Sequence, residues 1–176
     1  MILFRHADPR FPFLWEGAEQ PPGRWHAPGT GPVHYLADTP NGAWAEFLRH
    51  EEITEPGSLE GIMQALWAIE VPPLRVAEPS LPQEELTGGV ETYARCQEES
   101  LRIRSTGAEA MRAPSAALLP DGATGLRMDG GSQPGPPRNG EVLVVFGPQE
   151  DLIGWAATIA GRPDAELLGR VRPLSR

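Results

Sequence analysis

Val33-His34-Tyr35-Leu36-Ala37-Asp38-Thr39-Pro40, continued by Asn41-Gly42-Ala43-Trp44-Ala45-Glu46-Phe47-Leu48-Arg49-His50, decides the fold. Its first five residues form a short, largely apolar run that reads as a strand. Asp38-Thr39-Pro40 then supplies a capping residue followed by proline at the first helical position, where its fixed φ and missing N–H cost nothing. A helix is expected from about Pro40 to His50. Ala43, Trp44, Phe47 and Leu48 share one face of it, while Ala45, Glu46, Arg49 and His50 turn away from the centre of that face. Glu46 stands at the margin of the apolar seam.

Before this stretch, Ile2 to Phe4 reads as a first strand. It is followed by an irregular stretch up to Pro32, rich in Pro, Gly and aromatic residues, of a length that usually carries function. Downstream, Gln64 to Val71 ends at Pro72-Pro73 and is either a strand or a short helix, with the strand modestly favoured, and Leu74 to Ala77 suggests another strand. Val90 to Arg104 lacks Gly and Pro and places Val90, Tyr93, Ala94 and Leu101 near one side of a helix. Pro120 to Gly140 holds ten Gly or Pro residues, which makes it a loop or hairpin excursion. Val142-Leu143-Val144-Val145-Phe146 is the clearest buried strand, and a last strand is expected near Glu166 to Arg172. The expected fold class is α+β, one compact domain over residues 1–176 with a Gly/Pro-rich loop at about 120–140.

The chain of 176 residues suits one core, and 40 % apolar content is enough to fill it. Its basic residues are 15 Arg and no Lys, and the formal net charge is -9. That balance argues against a direct nucleic-acid binder, which needs a basic surface to displace counterions. A few Arg lining one pocket could still hold a small anion. Cys96 is the single cysteine, so no intrachain disulfide is possible and the cytoplasm is the simplest compartment. The opening run reaches a charge at Arg5, too early for a signal peptide, and no apolar run approaches a membrane span. His6, His26, His34 and His50 do not fall at i, i+4 spacing, so no metal site is expected. Phosphate-loop, dinucleotide and nucleophile-elbow motifs are likewise missing, and Gly29-Thr30-Gly31 reads as a turn.

Four positions carry the remaining chemistry. Gly23-Arg24-Trp25-His26 offers a glycine for close backbone approach and a planar guanidinium fork suited to phosphate oxygens. Tyr35 lies in a strand and Glu46 on the helix after it. Ser115 follows Pro114. Each has an ordinary alternative: a surface Arg stacked on Trp25, a buried tyrosine with a satisfied hydroxyl, a solvated helix Glu, a serine at a turn.

In order and spacing, Phe4-Arg5, Gly23-Arg24-Trp25, Val33 to Ala37, Ala45-Glu46 and Pro114-Ser115 resemble the RES domain family, over Ile2 to about Phe146. Ala113 stands where members commonly carry an aromatic. The resemblance implies a fold like that of ADP-ribosyltransferases and an enzyme that degrades NAD by hydrolysis or phosphorolysis, as the toxin of a pair with an Xre-type antitoxin. NAD is then the substrate and no cofactor is implied, although inorganic phosphate can serve as co-substrate. It also implies Glu46 and Tyr35 as catalytic residues, and Arg24, Ser115 and, more weakly, Arg5 as substrate-binding ones. The chemistry suits these residue types: the leaving nicotinamide carries away its positive charge, so one carboxylate beside the oxocarbenium-like centre suffices. Transfer of ADP-ribose to a protein, or a RES-like binding protein without activity, are the alternatives. The segment from about Phe11 to Pro32 is expected to be exposed, with Phe11, Phe13, Trp15 and Trp25 as anchors for a partner, or else packed into the core or a homodimer seam.

Overall fold

The structure is a computed structural model that describes residues 1–17 and 19–175. Strand β1 (Ile2–Ala7) and β2 (Val33–Ala37) precede helix α1 (Pro40–His50), whose cap is Thr39, accepting the Gly42 N–H through its hydroxyl. Then come β3 (Gln64–Glu70), β4 (Val76–Ala77), a short helix α2 (Gln83–Thr87) and α3 (Tyr93–Ser105). β5 (Ala110–Pro114), a hairpin of β6 (Leu126–Met128) and β7 (Ser132–Pro134), β8 (Glu141–Phe146) and β9 (Ile153–Gly161) follow, and 3₁₀ turns lie at Pro56–Leu59, Val90–Thr92 and Ala165–Arg170. Seven strands form one sheet in the order β4-β5-β8-β2-β1-β3-β9, and every pairing but β4 with β5 is antiparallel. This mixed α/β architecture answers the α+β expectation, and the Pro120–Gly140 excursion contains the β6–β7 hairpin. No described helix is long and apolar enough to cross a membrane.

Alternation along the central strands builds a core on both sheet faces. Val33 on β2 and Val142 and Val144 on β8 pack beneath α3 with Cys96 and Ile103, and Ala37 packs beneath α1 with Phe47 and Leu48. Leu36, Leu143 and Val145 point the other way, to Leu3, Ile69 and Leu14. β1 and β2 share a single registered pair, Phe4 with Ala37, and then separate. Into the gap comes the segment after Leu14. The Gln20 amide donates to the Val33 carbonyl and accepts from the Val33 N–H, both at 2.9 Å, in place of the missing strand neighbour. The chain thereby passes from one face of the sheet to the other, and the next residues, Pro21 to His26, lie on the helical side.

Four expectations need correction. The final strand is Ile153–Gly161; residues Ala165–Arg170 form a 3₁₀ helix instead, capped by Asp164. Ala45 is buried, because the 3₁₀ turn with Leu167 packs on α1, and Arg49 is buried with its guanidinium on the Ala116 and Gly88 carbonyls. On α3 the inward residues are Cys96, Glu99, Ser100 and Ile103, whereas Val90 and Leu101 are exposed. Glu99 tolerates its position because the Ser80 N–H and the Arg102 guanidinium both donate to it, at 2.6 and 2.7 Å. Trp25 is a core residue, and Phe13 packs on Trp67, so only Phe11 and Trp15 of the four aromatics stand out in solvent.

Candidate active site

A cavity of about 400 Å³ opens on the helical side, floored by β1 and β2 and walled by α1, the Pro21–His26 segment and Tyr93. Glu46, Tyr35, Arg24 and Arg5 all border it, and so does Arg49. Ser115 does not. The structure thus brings four of the five positions named from the sequence to one cavity, leaves Ser115 outside it, and adds Arg49, which the sequence did not single out.

Glu46 sits half-buried on α1 with Trp44, Phe47 and Leu48 holding the helix to the core. Its carboxylate has no hydrogen bond or ion pair with any described residue. A carboxylate that faces a cavity unpaired is available to a ligand hydroxyl or a developing cation.

Tyr35 projects from the same face of β2 as Val33 and Ala37. Its hydroxyl accepts the Trp25 N–H at 2.9 Å and lies 2.9 Å from His26 Nδ1. His26 Nε2 is 2.7 Å from the Pro21 carbonyl, an acceptor only, so Nε2 carries the proton and Nδ1 accepts from Tyr35. Burial holds His26 below its usual pKa and pushes the Tyr35 phenol up, so the relay runs between neutral groups. Gly23 belongs to this packing: a Cβ there would lie 2.9 Å from the Tyr35 hydroxyl and from His26 Cε1. The glycine therefore serves the turn, whose two ends bond each other through Gly23 and His26 and are held from α3 by the Gln97 amide.

At the middle of that turn Arg24 points inward and is only 6 % exposed. It donates to the Thr92 hydroxyl at 2.8 Å, to the Glu85 carbonyl at 3.0 Å and to the Gly88 carbonyl, with its guanidinium over the Tyr93 ring. Arg49 comes from α1 and donates to the carbonyls of Ala116 and Gly88. Both arginines therefore satisfy the orphan carbonyls at the end of α2, where a helix leaves partial negative charge. Neither has a carboxylate within ion-pair distance among the described residues. Burial is the main cause that lowers the Arg49 pKa. The sequence carries no sign of Arg49's role, because its partners are backbone carbonyls of remote segments.

Arg5 lies between the separating strands, donating to the Tyr35 carbonyl at 3.4 Å while its buried Nε has no partner. His6, beside Phe47 in an edge-on contact, is held down to about 3 by burial first, then by Arg5 and His50. It is a neutral imidazole in the cavity wall. Ser115 Oγ, in contrast, accepts the N–H groups of Ala117 and Leu118, both at 3.2 Å, and borders a separate cavity behind Pro114. It fixes the turn after β5 that carries the Ala116 carbonyl to Arg49.

A family model for the RES domain matches residues 2–129. The chain belongs to the RES domain family. The matched region of this RES domain ends before β8, although β8 is central to the sheet. No curated protein matches the chain. Among solved structures, the fold is similar to that of a chain in the crystal structure of the M. tuberculosis MbcT-MbcA toxin-antitoxin complex. That likeness has a TM-score of 0.58 at 18 % identity and covers 96 % of this chain and 86 % of that one. The two chains thus share a fold on few identical side chains.

Proposed function

We propose that this RES domain cleaves NAD between nicotinamide and ribose, by hydrolysis or by phosphorolysis. The observation that carries the reading is the pairing of opposites in one cavity: a carboxylate, Glu46, and two buried guanidiniums, Arg24 and Arg49, none of which forms an ion pair with a described residue. NAD presents the matching pair, a ribose that becomes cationic beside a pyrophosphate that is anionic.

In this reading the C1′–N bond breaks with its electron pair passing to the nicotinamide nitrogen, so the leaving group departs neutral and needs no proton. Glu46 holds a ribose hydroxyl and stabilises the cationic centre, a contribution of about 3–4 kcal/mol for a preorganised charge. Water or phosphate adds to C1′; with water, one proton is released and ADP-ribose forms. Arg24 supports the pyrophosphate with the donors it does not spend on α2, and Arg49 adds to the positive potential there. The Tyr35 ring, its hydroxyl committed to His26, offers a flat wall for the nicotinamide. Arg5 contributes positive charge from behind the floor. Ser115 acts at a distance, through the turn that carries Ala116.

The wider reading is that of a toxin, restrained by an antitoxin protein of the Xre class in the cytoplasm. It is supported by family membership and by the likeness to a toxin-antitoxin complex. Incubating purified protein with NAD, with and without phosphate, and identifying every product tests the chemistry. Release of nicotinamide with ADP-ribose, or with ADP-ribose 1″-phosphate when phosphate is present, is expected; intact NAD refutes it, and ADP-ribosylated protein redirects it to transfer. Expressing the active protein alone in bacteria tests the biology, since normal growth with an undiminished NAD pool would refute a toxin.

A further inference from the structure

We propose that the indole of Trp15 is a stacking platform for the second, purine base of the dinucleotide, so that the site reads both halves of its substrate. The inference rests on the NAD-cleaving reading above and adds a subsite to it. At about 400 Å³ the cavity is near the low end of the ~300–1,000 Å³ pockets that enclose a drug-sized ligand. A nicotinamide nucleoside at Glu46 and the pyrophosphate toward Arg24 fill such a space, and the remaining nucleoside must lie across the rim. Trp15 borders the cavity with 49 % of its surface in solvent, whereas Trp25, also on the wall, is 2 % exposed.

The ring is exposed but its backbone is not free. On one side Glu16 lies 2.9 Å from His34 Nε2 and accepts the Gln149 N–H at 3.1 Å. On the other, Gln20 is clamped to both backbone groups of Val33. The indole lies back along the chain against Gly17, where a Cβ would come 2.5 Å from its Nε1, so a glycine is required for that posture. An aromatic half in water, tethered on both flanks at the mouth of a cavity with cationic walls, is preorganised to receive a base, and a base presents a π-face whatever its identity.

The test compares NAD with nicotinamide mononucleotide, which has the same scissile bond but no second base. In Trp15→Ala the ratio of kcat/KM for NAD to that for the mononucleotide should fall about tenfold, mainly through KM for NAD, and Trp15→Phe should restore most of it. An unchanged ratio in Trp15→Ala overturns the platform while leaving the cleavage reading intact. If the wild-type protein cleaves neither compound, calorimetry with ADP-ribose takes over: affinity weakened about tenfold by Trp15→Ala supports the platform without the cleavage. Equal affinity of the two proteins, or no binding by either, overturns it.

Discussion

Arg24 and Arg49 donate to one and the same oxygen, the carbonyl of Gly88, each through an Nη2 group. Two like charges drawn to a single acceptor, with no carboxylate of a described residue within ion-pair distance, repel each other in a medium that screens poorly; Glu46 and Glu91 act on them only from farther off. Helix α2 tolerates them because its last carbonyls need donors, and an anionic ligand would relieve the remaining excess.

Arg24→Lys keeps the charge but replaces a planar fork that serves the Thr92 hydroxyl and two carbonyls. At least one buried acceptor is left bare, so a loss of about 1–3 kcal/mol in stability is expected, seen in urea unfolding, together with weaker NAD binding by calorimetry. A variant with wild-type values for both would remove Arg24 from the site and from the fold's supports.

Glu46→Gln is the converse case. The carboxylate bonds no described residue in the free protein and only attracts Arg49 from beyond ion-pair distance, so stability should fall by no more than about 0.5 kcal/mol. NAD turnover should fall roughly 100-fold or more. Undiminished turnover by the folded variant would end its assignment.

Much of the fold is legible in the sequence because its central elements obey their periods. Val33 to Ala37, Pro40 to His50 and Val142 to Phe146 all stand where apolar patterning and the Thr39-Pro40 cap put them. β9 is not legible. It is a rim strand with two breaks in register against β3, so the alternation that would announce it is interrupted. The site divides in the same way: Glu46 and Arg24 are visible as charged residues in apolar or glycine-bearing contexts, but Arg49 and Ser115 depend on backbone partners from Gly88, Ala116 and Leu118. Which carbonyl a side chain meets is fixed by the path of the chain, and residue types do not encode it locally.

Tyr35→Phe removes the acceptor of the Trp25 N–H and the donor to His26. The cost expected from the unpaired amide is about 1–3 kcal/mol. Hydrogen exchange should quicken at Trp25 more than at β8, and exchange unaltered at Trp25 would show that the relay does not hold the turn.

Ser115→Ala should act on stability before binding. Two amides, of Ala117 and Leu118, lose their acceptor, at a cost of about 1–3 kcal/mol, while KM for NAD should rise less than in Arg24→Lys. A larger KM effect, with no loss of stability, would place the serine against the substrate.

His6 makes stability depend on acidity. With a folded pKa near 3 it stays neutral while the unfolded chain takes up a proton below about 6.5, so its contribution is complete above that pH and declines as pH falls toward 3. Between pH 7 and pH 5, His6→Gln should lose about 2 kcal/mol less than wild type in urea unfolding. Parallel losses in the two proteins would show that other groups govern the acid response.

From Ile153 to Gly161 the rim strand has no charged residue, and Ile153, Trp155 and Ile159 lie open to water. Many proteins guard such a border with lysine, which this chain lacks altogether. Here the guard is geometric: the register shifts bend the strand, and the Thr158 hydroxyl engages the Ala160 N–H. A foreign strand laid alongside would meet hydrogen-bonding groups out of step with its own. What opposes edge-to-edge pairing along these nine residues is thus a crooked border, and a change that straightened it would leave a better template for strand addition.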